Sequence, residues 1–230
     1  MISKKRYIPT FLSCCNLIVG CIANAYAFNG DIKIAFLFVL LGALFNFLDG
    51  IVARFLNAST PIGKELASLA DNITFGMVPS MMVFYELHQL NCPEILEPIE
   101  NILPYTAFLI AAFSALRLAK FYIDSCQKST FIGLPSPANA LFWGGLLILQ
   151  SNYKDTEAFY VMIIILVFLS SYLLTSKIPM PSLKFKKLNW KENRFSLFFL
   201  ATVVILLLIL SLPAFAIIIC WYVILSWIKK

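Results

Sequence analysis

The sequence predicts an all-α polytopic membrane protein of about eight transmembrane helices with both termini in the cytoplasm. Three observations predict it. First, 60% of the residues are hydrophobic, 13% are charged and mean hydropathy is strongly positive, far from the composition of an average soluble domain. Second, apolar runs of about 20 residues recur along the whole chain, each long enough to cross a hydrocarbon core of roughly 30 Å as a helix. Third, Lys and Arg sort onto alternate loops, as retention of positive charge on the cytoplasmic side requires.

In chain order the predicted spans lie near residues 8–27, 34–55, 69–88, 104–123, 136–152, 157–175, 195–211 and 213–229. The first is too long for the apolar core of a cleavable signal peptide and lacks a small-residue cleavage pattern, so it is expected to remain as a helix. The fifth, "PSPANALFWGGLLILQS", carries the weakest signal because it is short and rich in small residues. The seventh and eighth share one apolar run of about 35 residues, too long for a single crossing, and divide at "SLPAF". No repeat or long low-complexity linker interrupts the chain, which is treated as one domain, residues 1–230.

This count places Lys4, Lys5, Arg6, Arg54, Lys64, Lys120, Lys128, Lys177, Lys184, Lys186, Lys187, Lys191, Arg194, Lys229 and Lys230 on one side. The other side receives Lys33 and Lys154, and its longest loop carries Glu94, Glu97 and Glu100. An odd number of crossings would scatter these charges. The net charge of +6 is accounted for by anionic headgroups and needs no nucleic acid partner. In "LKFKKLNWKENR", lysines interleave with Phe185, Leu188 and Trp190, the pattern of a segment resting on the membrane surface. Cys14, Cys15, Cys21, Cys92, Cys126 and Cys220 show no metal-ligand spacing and read as small hydrophobes. His88, the only histidine, falls at the outer end of the third span, which leaves no material for a His-based metal centre or triad.

The second span ends in "FNFLDGIVAR", an Asp, a Gly and an Arg inside an apolar run. Asp49 and Arg54 then sit at the cytoplasmic end of span two, and Asp71 at the cytoplasmic start of span three. Ionisable groups at membrane depth cost several kcal/mol unless paired or hydrated, and so mark function by default. An Arg–Asp pair that merely staples two helices would not require Gly50, Ala53 and Gly63 beside the charges. Bare backbone next to a carboxylate suits close approach of a bulky polar ligand.

"DGIVAR", eight further residues and then "GKELASLAD" resemble the signature of the CDP-alcohol phosphatidyltransferases, D-x-x-D-G-x-x-A-R followed by G-x-x-x-D-x-x-x-D. "IPTFLSCCNLIVG", "SLADNITFGMVPS", "ALRLAKFY" and "FIGLPSPANA" resemble patterns of its bacterial and archaeal phosphatidylserine synthase branch. The resemblance implies transfer of a phosphatidyl group from CDP-diacylglycerol to L-serine with release of CMP, at a site facing the cytoplasm in the inner membrane. It also implies a divalent cofactor, Mg²⁺ or Mn²⁺, because moving a phosphoryl centre requires charge neutralisation and hard cations want oxygen ligands. By resemblance the cation ligands fall at positions 46, 49, 67 and 71, with Asp71 also the general base for the serine hydroxyl. Positions one helical turn apart share a face, so 46 with 49 and 67 with 71 are able to converge. Gly50, Ala53, Arg54 and Gly63 match positions that border the nucleotide and its phosphates. Arg117 and Lys120 are candidates for the serine carboxylate or a lipid phosphate. A homodimer is a further implication.

The chain departs from this pattern where it matters most. Asn46 and Ala67 stand at two of the four acidic positions. Asn46 offers a cation a neutral oxygen, and Ala67 offers nothing. The expectation is a chain that is inactive or strongly impaired, since loss of members of a unit that acts together costs orders of magnitude in rate. Two other readings remain: the same family with glycerol phosphate or inositol as acceptor, or a non-catalytic CDP-diacylglycerol-binding membrane protein.

Overall fold

The computed structural model describes residues 7–56, 60–123, 131–150, 157–180 and 202–228. Helix α1 spans Tyr7–Phe28 and α2 spans Ile32–Phe55. The turn between them is dictated by "FNGD". Gly30 adopts φ 87, the left-handed conformation that glycine reaches without Cβ strain. Its N–H bonds Ala27 O at 3.2 Å while Asp31 N–H bonds Tyr26 O at 3.0 Å, the paired bonds of a Schellman cap. The hairpin sets α1 and α2 side by side and brings the Tyr26 and Phe38 rings into a stack at 5.6 Å.

Helix α3, Pro61–Asn72, starts eight residues before the expected third span. Local chemistry explains the difference: Thr60 Oγ1 accepts the Gly63 N–H at 3.0 Å and Pro61 occupies the first turn, where its missing N–H costs nothing. Hydropathy sees only the apolar continuation. From α3 the chain passes without a break through a π-helical turn, Ile73–Met77, into α4, Val78–Gln89. Two 3₁₀ turns, Glu94–Ile99 and Leu103–Ala107, follow. The second takes up the first residues of the expected fourth span, so α5 runs Phe108–Ile123.

Helix α6 spans Ser136–Gln150 and α7 spans Glu157–Thr175, the latter with the bounds read from the sequence. Residues 202–210 form α8. The "SLPAF" break is present: Ser211 has φ 54, Pro213 follows, and α9 begins at Ala214 and ends at Ile228. A two-residue antiparallel pair, Phe131–Ile132 against Pro179–Met180, is the one departure from helix, 3₁₀ and π structure with regular pairing among the described residues.

Among the described residues, α1, α2 and α7 have both the length and the hydropathy to cross a membrane, and Ala214–Ile224 within α9 is a shorter apolar segment. Large apolar side chains such as Phe11, Phe47 and Leu208 face outward, as a bilayer solvent allows. The interior is filled by Phe36, Phe75, Met82, Trp143 and Tyr160, all essentially inaccessible. Trp143 donates its indole N–H to Ser170 Oγ at 3.3 Å. His88 is exposed at the end of α4 and bonds Phe84 O, which fits surface placement. The lysine-rich segment within 183–194 and Cys126 lie outside the described residues.

Candidate functional site

The motif carboxylates come together at the junction of α1, α2 and α3. Asp49, on the last turns of α2, is 9% exposed, and its Oδ2 accepts the Ser13 hydroxyl at 2.7 Å. Ser13 also lies 3.2 Å from Pro9 O, but a hydroxyl has one proton, and the shorter contact to a charged acceptor takes it. Asp71, in the last turn of α3, is flanked by two amides. Asn16 Nδ2 donates to one oxygen at 2.9 Å and Asn46 Nδ2 to the other at 3.1 Å. A carboxylate accepts only, so both asparagines must turn their NH₂ groups toward it.

A close approach of backbones makes this geometry possible. Thr74 Oγ1, in the π-helical turn, reaches Asn16 O at 3.2 Å and Asn16 Oδ1 at 3.0 Å. A Cβ at Gly20 would collide with Thr74 Oγ1, and one at Gly42 would lie 2.6 Å from Thr74 Cγ2 and 2.9 Å from Asn16 Oδ1. Glycine at both positions lets α1 and α2 close on Thr74. Thr74 then fixes the Asn16 amide, with its NH₂ toward Asp71.

The other sequence-predicted residues distribute as follows. Gly50, Ala53 and Ala67 are half-buried on α2 and α3, and the Ala67 methyl offers no donor or acceptor. Arg54 is exposed and donates its Nε to Gly50 O at 2.8 Å, so it is not the partner of Asp49. The helix-stapling ion pair is therefore absent at this position. Gly63 sits at the capped start of α3, where an added Cβ would meet Thr60 Oγ1 and Thr10 Oγ1, so the N-terminal turns of α1 and α3 are adjacent. Arg117, on α5, is half-buried and interacts electrostatically with Asp71 and Tyr222, and its Nε has no hydrogen-bond partner among the described residues. Lys120, almost one turn later, is exposed. Ser68 and Asn72, on either side of Asp71 along α3, line a cleft of about 430 Å³ against Ala115, Leu118 and Ala119 of α5.

Ser13, Asn16 and Thr74 carry no assigned role in the sequence reading, although all three lie in two of the stretches quoted above. Their signal was polarity: a Ser and an Asn with i, i+3 spacing in an otherwise apolar helix.

The donor set does not fit the four-carboxylate divalent-cation site that the signature implies. Mg²⁺ demands near-octahedral oxygen coordination, and such sites recruit carboxylates. Among the described residues no group of three or more His, Cys, Asp or Glu side chains converges. Both Asp71 oxygens already accept amides, Asp49 accepts Ser13, and position 67 is a methyl.

A family model described as CDP-alcohol phosphatidyltransferase matches residues 6–169. The chain is 35% identical over 180 residues to a Bacillus subtilis protein named CDP-diacylglycerol–serine O-phosphatidyltransferase, covering 78% of this chain and 92% of that one. A Helicobacter pylori protein of the same name is 28% identical over 202 residues, 85% of this chain and 80% of its own. A Methanocaldococcus jannaschii protein, again of that name, is 28% identical over 219 residues, 95% and 91% of the two chains.

Proposed function

Because the chain belongs to the CDP-alcohol phosphatidyltransferase family, we propose that it is a phosphatidylserine synthase-type protein with a site for CDP-diacylglycerol and L-serine, in which Asn46 and Ala67 suppress phosphatidyl transfer. One observation carries this reading. The motif frame of Gly50, Ala53, Arg54, Gly63 and the two aspartates is present, while each Asp71 oxygen accepts an amide N–H and position 67 adds no carboxylate.

In this reading Gly50 and Ala53 leave room for the nucleotide, and Arg54 and Gly63 border its phosphates. Arg117 holds the serine carboxylate or a lipid phosphate, since its buried Nε has no hydrogen-bond partner. Lys120 is the weaker candidate for that role, being exposed. Asp71 is the group placed to take the serine hydroxyl proton. Its two amide bonds stabilise the carboxylate as an acceptor but leave it less free to turn toward a substrate. In the family, Mg²⁺ or Mn²⁺ supplies the charge neutralisation of phosphoryl transfer. With Asn46 and Ala67 in place of acidic side chains that support is missing, and the rate falls by orders of magnitude. The acyl chains remain in the bilayer while the headgroup enters from the cytoplasmic side of the inner membrane. Eight crossings with both termini cytoplasmic are supported by the sorting of Lys and Arg among the loops. Assembly as a homodimer completes the proposal.

The second reading, a CDP-diacylglycerol-binding protein without transfer activity, draws on the same amide-bonded Asp71. CMP release from CDP-diacylglycerol with L-serine and Mn²⁺, measured on this chain and on the double variant Asn46→Asp/Ala67→Asp, separates them. Turnover by the double variant alone supports the disabled synthase. Failure of both, in folded protein that still binds the lipid, favours the binding protein. Glycerol phosphate and inositol in place of serine test the acceptor.

A further inference from the structure

The mismatch between the signature's cation sites and the side chains present leads to an inference that rests on the CDP-diacylglycerol reading and deepens it. We infer that Asn16 and Asn46 form a hydrogen-bonded clamp that stands in for a cation at Asp71, so that this site keeps its shape and its ligand affinity without divalent metal. The clamp is built from three facts of geometry. Each Asp71 oxygen has its own amide donor, at 2.9 and 3.1 Å. The Asn16 amide is itself fixed from behind, because its Oδ1 accepts Thr74 Oγ1 at 3.0 Å in a position that is 1% exposed. Asp49 is held separately by Ser13 at 2.7 Å, so neither carboxylate depends on a shared cation to hold its orientation.

The chemistry of position 46 gives the clamp its logic. An aspartate there would set a second carboxylate against Asp71 at hydrogen-bond distance, where like charges repel and a cation between them relieves the repulsion. The amide turns that repulsion into a donor–acceptor contact. Its NH₂ group supplies the positive end of a dipole where the signature expects metal charge. Position 67 requires no such partner because its methyl leaves no charge to neutralise. The two departures from the signature are therefore matched: one removes a carboxylate, and the other converts its neighbour from ligand to clamp.

The test uses the full chain in detergent micelles, with Mn²⁺ and CDP-diacylglycerol as probes. The parent protein is expected to bind CDP-diacylglycerol with the same affinity in EDTA and in Mn²⁺, within about twofold, and to melt at the same temperature with and without Mn²⁺. Asn46→Asp is expected to melt lower in EDTA and to be rescued by Mn²⁺. Asn46→Ala, which removes the donor without adding charge, is expected to melt lower with no rescue. Tenfold weaker lipid binding by the parent in EDTA, or a clear Mn²⁺-dependent rise in its melting temperature, overturns the clamp. If the parent binds no CDP-diacylglycerol in either condition, the lipid reading fails. The melting series then still decides the clamp: rescue of Asn46→Asp alone supports it, and rescue of the parent refutes it.

Discussion

Replacing Gly42 by Ala tests whether the close approach of α1, α2 and the π-helical turn holds the site together. The control is Gly50→Ala on the same helix. Both changes gain the same helix propensity, about 1 kcal/mol for Ala over Gly, and that gain cancels between them. What differs is space. At Gly42 the new methyl lies 2.6 Å from Thr74 Cγ2 and 2.9 Å from Asn16 Oδ1, while at Gly50 its nearest neighbour is the flexible end of Arg54 at 3.7 Å. Ordinary carbon–carbon contact is about 3.5–4.0 Å, so the Gly42 variant must push its neighbours back by about 1 Å. Neither neighbour has room, since Thr74 is 0% and Asn16 1% exposed. Overpacking of this kind costs about 1–3 kcal/mol. For a chain of this size that difference corresponds to melting points roughly 2–12 °C apart, Gly42→Ala the lower, read by thermal denaturation in detergent. CDP-diacylglycerol binding should weaken with Gly42→Ala, because Asn16 is the residue displaced. Equal melting points, or a lower one for Gly50→Ala, would refute the reasoning.

Gly30→Ala combines a positive φ with collision against the Tyr85 ring, and its melting point should fall further than that of any substitution at an exposed helical position. Thr60→Ala removes the cap that starts α3 and should cost about 1 kcal/mol, with Thr60→Ser restoring most of it on the same melting curve. For the proposed topology, a reporter active only in the cytoplasm should be active when fused to either terminus; activity at one end alone indicates an odd number of crossings.

Segments whose boundaries follow from hydropathy were legible in the sequence. Helix α7 is a uniform apolar run between polar flanks, and its bounds agree. The break at "SLPAF" was legible because Pro213 and the length limit act on the sequence directly, and Ser211 with φ 54 realises it. The start of α3 was misplaced because a Thr–Pro cap, not apolarity, fixes it. The convergence of Asp49 and Asp71 followed from spacing on two adjacent helices. The partners of those carboxylates did not: Ser13 and Asn16 reach them across helix interfaces, Thr74 braces Asn16 from behind, and sequence separations of 36 to 58 residues carry no geometric information about such contacts. The same limit applies to Arg54, whose bond to its own helix leaves Asp49 to Ser13.

The π-helical turn has an outcome for how the long rod from Pro61 to Gln89 answers to two environments. Val78 N–H reaches back five residues to Ile73 O, where an α-helix would reach back four. One surplus residue is thereby absorbed, and everything beyond it is rotated by about 100° relative to an uninterrupted helix. The α3 half turns Asp71 toward Asn16 and Asn46, and the α4 half turns Val78, Met82 and Val83 toward the core. A rod of uniform pitch would couple those two aims, so that any sequence drift improving one face would misalign the other. The wider turn works as a phase joint, leaving the polar end and the apolar end of a single helix to be tuned by substitution independently.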